Sequence, residues 1–160
     1  MRQYDWNDST KVGNTAVECV RDFLASESAN QYWHPIKDVT SVEENDAFQE
    51  RDVDLLVLAR VDSELVTLSI EIKGDLNHQT GNFFFETLSN VSKKTAGAFL
   101  ATTAKWYFYY FLEPAELHLL PMKYARPWFL DNQSRFPERL TSSHRKGRTW
   151  QTAGRIVPIQ

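Results

Sequence analysis

The spacing of apolar residues changes along the chain, and each change marks a predicted structural element. In residues 13–25 the apolar side chains recur every three or four positions, which predicts an α-helix with one buried stripe. This stripe consists of Ala16, Val20, Phe23 and Leu24. Residues 65–73 (LVTLSIEIK) instead alternate between apolar and polar positions, which is the period of a half-buried β-strand.

A partner strand is predicted immediately before this one. Residues 52–60 (DVDLLVLAR) carry a continuous apolar run, and Asp62 and Ser63 provide a turn signal between the two segments. Two such runs joined by a short polar turn are typical of a β-hairpin. Gly74 follows the second run and is expected to end that strand.

The rest of the chain predicts further strands and a second helix. The other strand segments are 31–39, 83–85, 105–112, 116–120 and 155–159. Pro35 places the first of them at a sheet edge or a bend, and the proline that opens residues 121–130 predicts a short helix there. Residues 41–50 and 75–81 are expected to be loops, 87–95 a polar connection, helical or irregular, and 131–154 an irregular basic segment.

These elements predict one domain over residues 1–160, of the α/β (α+β) class, with a central mixed β-sheet flanked by helices. The charge is uneven along it, although the net charge is only −3. Residues 1–120 carry 10 Lys and Arg against 19 Asp and Glu, whereas residues 121–160 carry 8 against 2. A basic C-terminal segment beside an acidic body favours contact with phosphates, although a merely solvated tail has the same composition.

Cysteine and hydropathy patterns indicate the compartment. Cys19 is the only cysteine, so no internal disulfide forms and a reducing environment is expected. Residues 1–8 do not resemble a secretory signal. The most apolar stretch, residues 96–112, contains Lys105 and falls short of the roughly 20 clean residues of a membrane span. We therefore expect a soluble cytoplasmic protein without a membrane partner.

Two carboxylates and an ammonium group meet at an informative spacing. The strand period puts Glu71 and Lys73 on one face and Ile72 on the other, and the hairpin would place Asp54 opposite Glu71. Two carboxylates on adjacent strands are suitable ligands for Mg²⁺, which keeps several waters for chemistry. A nearby ammonium group stabilises developing negative charge.

Each of these residues also has a purely structural interpretation. Asp54 is acceptable as a strand-start residue, and an exposed pair of Glu71 and Lys73 would contribute about 0–1 kcal/mol. The aromatic runs 83–85 and 106–110 offer faces for base stacking but are more typical of buried strands. The four histidines show no zinc-ligand spacing.

The order of helix, strand with Asp54 and strand with Glu71-Ile72-Lys73 resembles the PD-(D/E)XK nuclease superfamily, which includes restriction enzymes and Holliday-junction resolvases. The resemblance implies a restriction-endonuclease-like fold in which Asp54 and Glu71 bind Mg²⁺ or Mn²⁺. It also implies that the backbone carbonyl of Ile72 assists as a ligand and that Lys73 assists the attacking water. The sequence departs from the family pattern at Val53, where the superfamily has its namesake proline.

Further segments are similar to phage-type members of this superfamily. These are residues 80–86 (TGNFFFE), 102–107 (TTAKWY) and 156–159 (IVPI). The resemblance implies that Glu86 lies close to the metal and that Asn82 shapes the loop over it. Glu18 is the candidate for the acidic residue of the first helix, although it falls roughly opposite the apolar stripe.

The sequence thus predicts a Mg²⁺-dependent DNA endonuclease that hydrolyses phosphodiester bonds through a metal-activated water. Three basic residues near the C-terminus are expected to contact phosphates: Arg145, Lys146 and Arg148. Cleavage of both strands would favour a homodimer. The alternative is a catalytically inactive nuclease-fold module that binds DNA or a protein partner.

Overall fold

The computed structural model describes residues 6–145 and 147–159, without the side chains of residues 6–9, 144 and 145. The helices are α1 (Trp6–Ala25), α2 (Glu27–Tyr32), α3 (Asp46–Gln49), α4 (Ala98–Ala101) and α5 (Met122–Asn132). The strands are β1 (Ile36–Ser41), β2 (Leu55–Val61), β3 (Glu64–Asp75), β4 (Asn82–Asn90), β5 (Thr95–Ala96), β6 (Trp106–Phe111), β7 (Glu116–Pro121), β8 (Glu138–Arg145) and β9 (Arg148–Pro158).

The strands form two sheets. The central sheet has the order β1-β2-β3-β6-β7, and its pairs are antiparallel except for the parallel pair β3 and β6. The second sheet has the order β5-β4-β9-β8 and is antiparallel. The predicted class, an α/β protein with a central mixed sheet flanked by helices, is confirmed.

The two faces of the central sheet bury different partners. One face packs against α1 through the predicted helical stripe, in which Ala16, Val20 and Leu24 are almost fully buried. The opposite face packs against the second sheet and α5 in an aromatic core. The members of that core are Phe83, Phe85, Phe99, Tyr107, Tyr109, Phe111, Met122, Phe129 and Val157. The aromatic runs are therefore buried for the most part, as predicted.

The β2–β3 hairpin is confirmed, but Gly74 does not end its second strand. β3 continues to Asp75, and a Cβ on Gly74 would stand 2.8 Å from the Cβ of Ala16 and 2.9 Å from the carbonyl oxygen of Val12. α1 thus packs closely against the sheet at Gly74. The glycine serves this close approach rather than a turn.

Three other predicted elements are wrong. α2 extends to Tyr32, so the predicted strand 31–39 begins only at Ile36. Residues 87–90 continue β4, and a turn at 91–94 leads into β5 instead of a helix or an irregular connection. Most of the predicted irregular segment 131–154 forms β8 and the first part of β9, and the predicted strand 155–159 is the end of β9. β8 is the edge strand of this sheet, and the N-terminal half of β9 is mostly exposed, so residues 138–151 lack the apolar alternation that identifies a strand.

The predicted loop 41–50 also contains a short helix, α3, which is capped by the Asn45 side chain accepting a hydrogen bond from the Ala47 amide. Among residues 6–145 and 147–159, no helix has both the length and the apolar character that crossing a bilayer requires.

Candidate metal and active site

The end of the β2–β3 hairpin brings Asp54 and Glu71 together. The Asp54 amide donates to the Ile70 carbonyl at 2.9 Å, and its own carbonyl accepts from Val42 at 2.9 Å. The Asp54 Oδ2 accepts a 2.7 Å hydrogen bond from the Ile72 amide. Its carboxyl group lies close enough to that of Glu71 for each to shift the pKa of the other. The backbone therefore holds Asp54 in place on the strand that faces Glu71.

Burial changes the acid–base behaviour of this pair. Burial raises the pKa of Asp54 to about 6, with the nearby charges of Glu43 and Asp52 acting in the same direction and the Ile72 amide opposing them. Burial also raises the pKa of Glu71 well above its ordinary value, and the charge of Asp54 adds to this. Two adjacent buried carboxyls retain a proton unless a cation compensates their charge.

One oxygen of this pair has no hydrogen-bond partner among the described residues. This oxygen is Glu71 Oε2, which is buried. Leaving a buried acceptor unpaired costs about 1–3 kcal/mol, so such an atom in a folded protein requires an explanation. An oxygen-binding cation between the two carboxylates would provide one.

Lys73 and Glu86 extend the site toward the second sheet. Lys73 is half-buried on the same strand face as Glu71, and its charge opposes the burial that raises the pKa of Glu86. Glu86 lies on β4, and its Oε1 accepts from the Ala98 amide at 3.4 Å. A Cβ on Gly97 would stand 2.5 Å from the Glu86 carbonyl oxygen. Glycine is therefore required where α4 begins against Glu86.

Asp52 and Tyr107 belong to the same neighbourhood, and sequence reasoning missed both. Asp52 has a positive φ of 48°, and its charge raises the pKa of Asp54, Glu71 and Glu86. Its backbone carbonyl accepts from the Thr102 hydroxyl. The sequence feature that could have identified Asp52 is its position two residues before Asp54. We define the carboxylate cluster as Asp52, Asp54, Glu71 and Glu86.

Tyr107 belongs to the aromatic run 106–110, which the sequence predicts to be buried core, so its position in the sequence did not indicate a site residue. It is the register partner of Glu71 on β6, and burial raises the pKa of its phenol, with Glu71 the first of the charges that add to this. Its hydroxyl thus lies under the influence of the carboxylate cluster, although its ring belongs to the aromatic core.

Ile72 presents its backbone to the same edge. Its amide points to Asp54, and in a strand the N–H and C=O of one residue point to the same side. Strand geometry therefore directs the Ile72 carbonyl toward the end of β2 nearest Asp54. The family resemblance implies that this carbonyl serves as a metal ligand.

Glu18 is not brought to the cluster. It lies on α1, which packs on the opposite face of the central sheet, and its side chain is exposed. It lines a surface groove with Arg21 and Lys37. Asn82 begins β4, where its side-chain amide donates to the Thr80 carbonyl. This contact closes the turn before β4 and does not reach the carboxylates.

Two of the predicted phosphate-binding residues, Arg145 and Arg148, lie at the tip of the β8–β9 hairpin, where they are register partners, and Arg148 is exposed. Lys146 is outside the described residues. Glu86 pairs with Gly154 farther along β9. The tip is thus about 20 Å along the strand from the level of Glu86, at about 3.3 Å per residue.

No family model, curated protein or solved structure matches this chain. The site therefore has to be judged by its own chemistry. The described residues contain no group of three or more His, Cys, Asp and Glu side chains placed to hold a metal ion. Mg²⁺ is usually held by one or two carboxylates and keeps several waters. The pair of Asp54 and Glu71, with the unpartnered Glu71 Oε2, fits that requirement.

Proposed function

We propose that this chain is a Mg²⁺- or Mn²⁺-dependent endonuclease that hydrolyses phosphodiester bonds of DNA in the cytoplasm, on a restriction-endonuclease-like fold. One observation carries the proposal. A buried Glu71 oxygen without a hydrogen-bond partner lies beside Asp54, whose pKa burial raises to about 6. Two buried carboxylates without a counter-ion are unfavourable in their charged form, and a bound hard cation stabilises that form.

In this proposal Asp54 and Glu71 hold the cation, and the Ile72 carbonyl is a third oxygen at the same edge. A bound Mg²⁺ supplies charge neutralisation at the phosphate and lowers the pKa of the attacking water. Asp54 is suited to this task because its Oδ2 is held by the Ile72 amide. A ligand fixed by the backbone loses little freedom when it binds.

Lys73 and Glu86 have supporting roles. The Lys73 ammonium group interacts with the charges of both Glu71 and Glu86, so it stays on the face where the phosphate would lie. There it orients the water or stabilises the charge that develops on the phosphoryl oxygens. Glu86 acts on this lysine from β4 and thereby positions it.

The contacts with DNA and the homodimer are predicted from the sequence alone. Arg145, Lys146 and Arg148 would contact DNA phosphates, and a homodimer would allow both strands to be cut. The alternative function is a catalytically inactive nuclease-fold module that binds DNA or a protein partner. It shares the fold but lacks metal-stimulated turnover.

Cleavage of supercoiled plasmid with Mg²⁺ or Mn²⁺ tests the proposal. We expect Asp54→Ala, Glu71→Ala and Lys73→Met each to lower the cleavage rate by about 100-fold or more. Lys105→Met is the matched control, because this lysine is exposed and its ammonium group donates to the Thr67 carbonyl at 3.2 Å, away from the carboxylate cluster. Its cleavage rate should equal that of the wild type.

Calorimetric titration with Mn²⁺ separates the two functions. The wild-type protein should bind Mn²⁺, and Asp54→Ala should not. Wild-type cleavage that survives all three substitutions would contradict the proposal. Nucleic-acid binding without cleavage under any metal condition would establish the inactive module instead.

A further inference from the structure

Helix α5 exposes two large aromatic side chains one helical turn apart. Tyr124 is 65% exposed and Trp128 is 50% exposed, in contrast to the buried aromatic core on the other side of this helix. Residues four apart on a helix lie on the same face, with Cβ atoms about 5–6 Å apart. We define the α5 aromatic face as Tyr124 and Trp128.

Packing of the fold does not require this face. The buried side of α5 is formed by Met122 and Phe129, and the Phe129 ring lies 5.6 Å from that of Phe85. The described ring contact of Trp128 is with Phe136, at 5.7 Å. Exposed aromatic surface of this kind is typical of binding sites.

The charges around the face favour a polyanion. The Lys123 ammonium lies 5.4 Å from the centre of the Tyr124 ring. Arg135, three residues after the end of α5, and Arg139, on β8, are both exposed. Of the two acids in residues 121–160, Asp131 lies on α5, and Glu138 is paired with Arg155 at 3.4 Å. Aromatic faces interleaved with cations are the combination that binds single-stranded nucleic acid.

Helix α5 is linked to the proposed active site through two hydrogen bonds that start from its buried side. The Arg126 guanidinium donates to the Thr102 carbonyl, and the Thr102 hydroxyl donates to the Asp52 carbonyl. α5 therefore adjoins the loop that carries Asp52 and Asp54. The α5 aromatic face lies on the outer side of the same helix.

We propose that the α5 aromatic face binds unpaired bases of the nucleic acid, which stack on Tyr124 and Trp128 while Lys123, Arg135 and Arg139 contact the adjacent phosphates. Bases in a blunt duplex are already stacked on each other, so this face selects substrates with an unpaired segment, such as flaps, forks or overhangs. The inference rests on the proposed function, because it names the substrate class of that site.

Fluorescence anisotropy tests binding separately from cleavage. The protein carries Asp54→Asn throughout, the buffer contains EDTA, and the labelled probes are a single strand, a blunt duplex and the same duplex with a single-stranded overhang. Adding Tyr124→Ala and Trp128→Ala together should weaken binding of the single strand and the overhang by about tenfold or more. Binding of the blunt duplex should change little.

Two controls separate stacking from folding. Tyr124→Phe with Trp128→Phe keeps both ring faces and should keep most of the affinity. Tyr32→Ala removes a 70% exposed tyrosine on α2 and should leave binding unchanged. Equal loss for all three probes, or no loss for any, would overturn the inference.

Anionic phosphatidylserine vesicles are the competing probe. Vesicle binding that the double alanine variant abolishes, with oligonucleotide binding intact, would assign the face to a membrane surface and overturn the inference. Failure of the proposed function has a different signature. The wild-type protein would then cut no DNA with Mn²⁺, whereas the anisotropy difference between the variants would persist.

Discussion

Glu71 and Asp75 lie four residues apart on β3 and face the same side of the central sheet, yet their carboxyl groups have different surroundings. Asp75 Oδ1 accepts from the backbone and side-chain amides of Asn77, both at 2.8 Å, and Asp75 Oδ2 accepts from the Tyr109 hydroxyl. Glu71 Oε2 is buried and has no hydrogen-bond partner in the part of the chain that the structure describes. One acid is used by the fold, whereas the other is left available to a ligand.

This comparison explains why burial alone does not identify a site. A buried carboxyl whose oxygens are all hydrogen-bonded stabilises the fold. A buried carboxyl with an unpaired oxygen and a neighbouring acid destabilises the ligand-free protein, and it is retained where a ligand repays the cost. The stability of the metal-free protein tests this division between structural and ligand-binding carboxyl groups.

The largest effect is expected at Asp75. Asp75→Ala leaves the Tyr109 hydroxyl and the Asn77 amides without their acceptor, so the free energy of unfolding should fall by about 2–4 kcal/mol. Urea unfolding in EDTA measures it. Tyr109→Phe removes one of these hydrogen bonds and should cost less. A stability equal to that of the wild type would show that Asp75 is as dispensable to the fold as Glu71.

An opposite effect is expected at Asp54. Its pKa is raised from 3.8 to about 6 by burial, so folding takes up a proton, and the stability linked to this group is full below about pH 4 and lost as the pH rises through about 6. Asp54→Asn should therefore increase the stability of the metal-free protein at pH 7, on the order of 1–3 kcal/mol.

The pH dependence supplies the control for Asp54→Asn. The gain should disappear at pH 4, where wild-type Asp54 is itself protonated, and Mn²⁺ should stabilise the wild type but not the variant. A variant that is less stable than the wild type in EDTA at pH 7 would contradict the interpretation of this pair as an unsatisfied ligand site.

The smallest effect is expected at Glu116, an exposed carboxylate that accepts from His118 at 2.6 Å and from His78 at 3.1 Å. The hydrogen bond from His118, and then the charges of the two histidines, lower its pKa. The stability that Glu116 contributes is therefore present above the ordinary pKa of a glutamate, and it is lost as the pH falls through the lowered pKa. Glu116→Gln should change Tm only slightly at pH 7, since exposed pairs contribute little. A large drop in Tm would show that the group of Glu116, His78 and His118 also stabilises the fold.

The half of the site that lies within one hairpin was predictable from the sequence. Strand alternation placed Glu71 and Lys73 on one face and Ile72 on the other, and the hairpin register placed Asp54 against Glu71. Both rules are local, because side-chain direction follows from a period of two and the register follows from a short turn.

The other half depends on contacts between distant segments. The charges of Glu86 and Lys73 interact only because the second sheet, which contains β4, packs against the central sheet. Asp52 is held by Thr102, which lies 50 residues away in the sequence. Glu18 was a plausible site residue from its position on the first helix. The face on which α1 packs excludes it from the carboxylate cluster, and no local pattern specifies that face unambiguously.

The sequence by itself determined the first helix, its buried stripe, the β2–β3 hairpin and the pairing of Asp54 with Glu71, since each follows from the period of neighbouring residues. Tertiary structure decided which acids remain unsatisfied. Asp75 and Glu71 look alike in the chain, and only the positions of Tyr109 on β6 and Asn77 in the following loop give one of them partners for both oxygens. Hydrogen bonding between remote segments is a property of packing, which residue order specifies only through the complete fold.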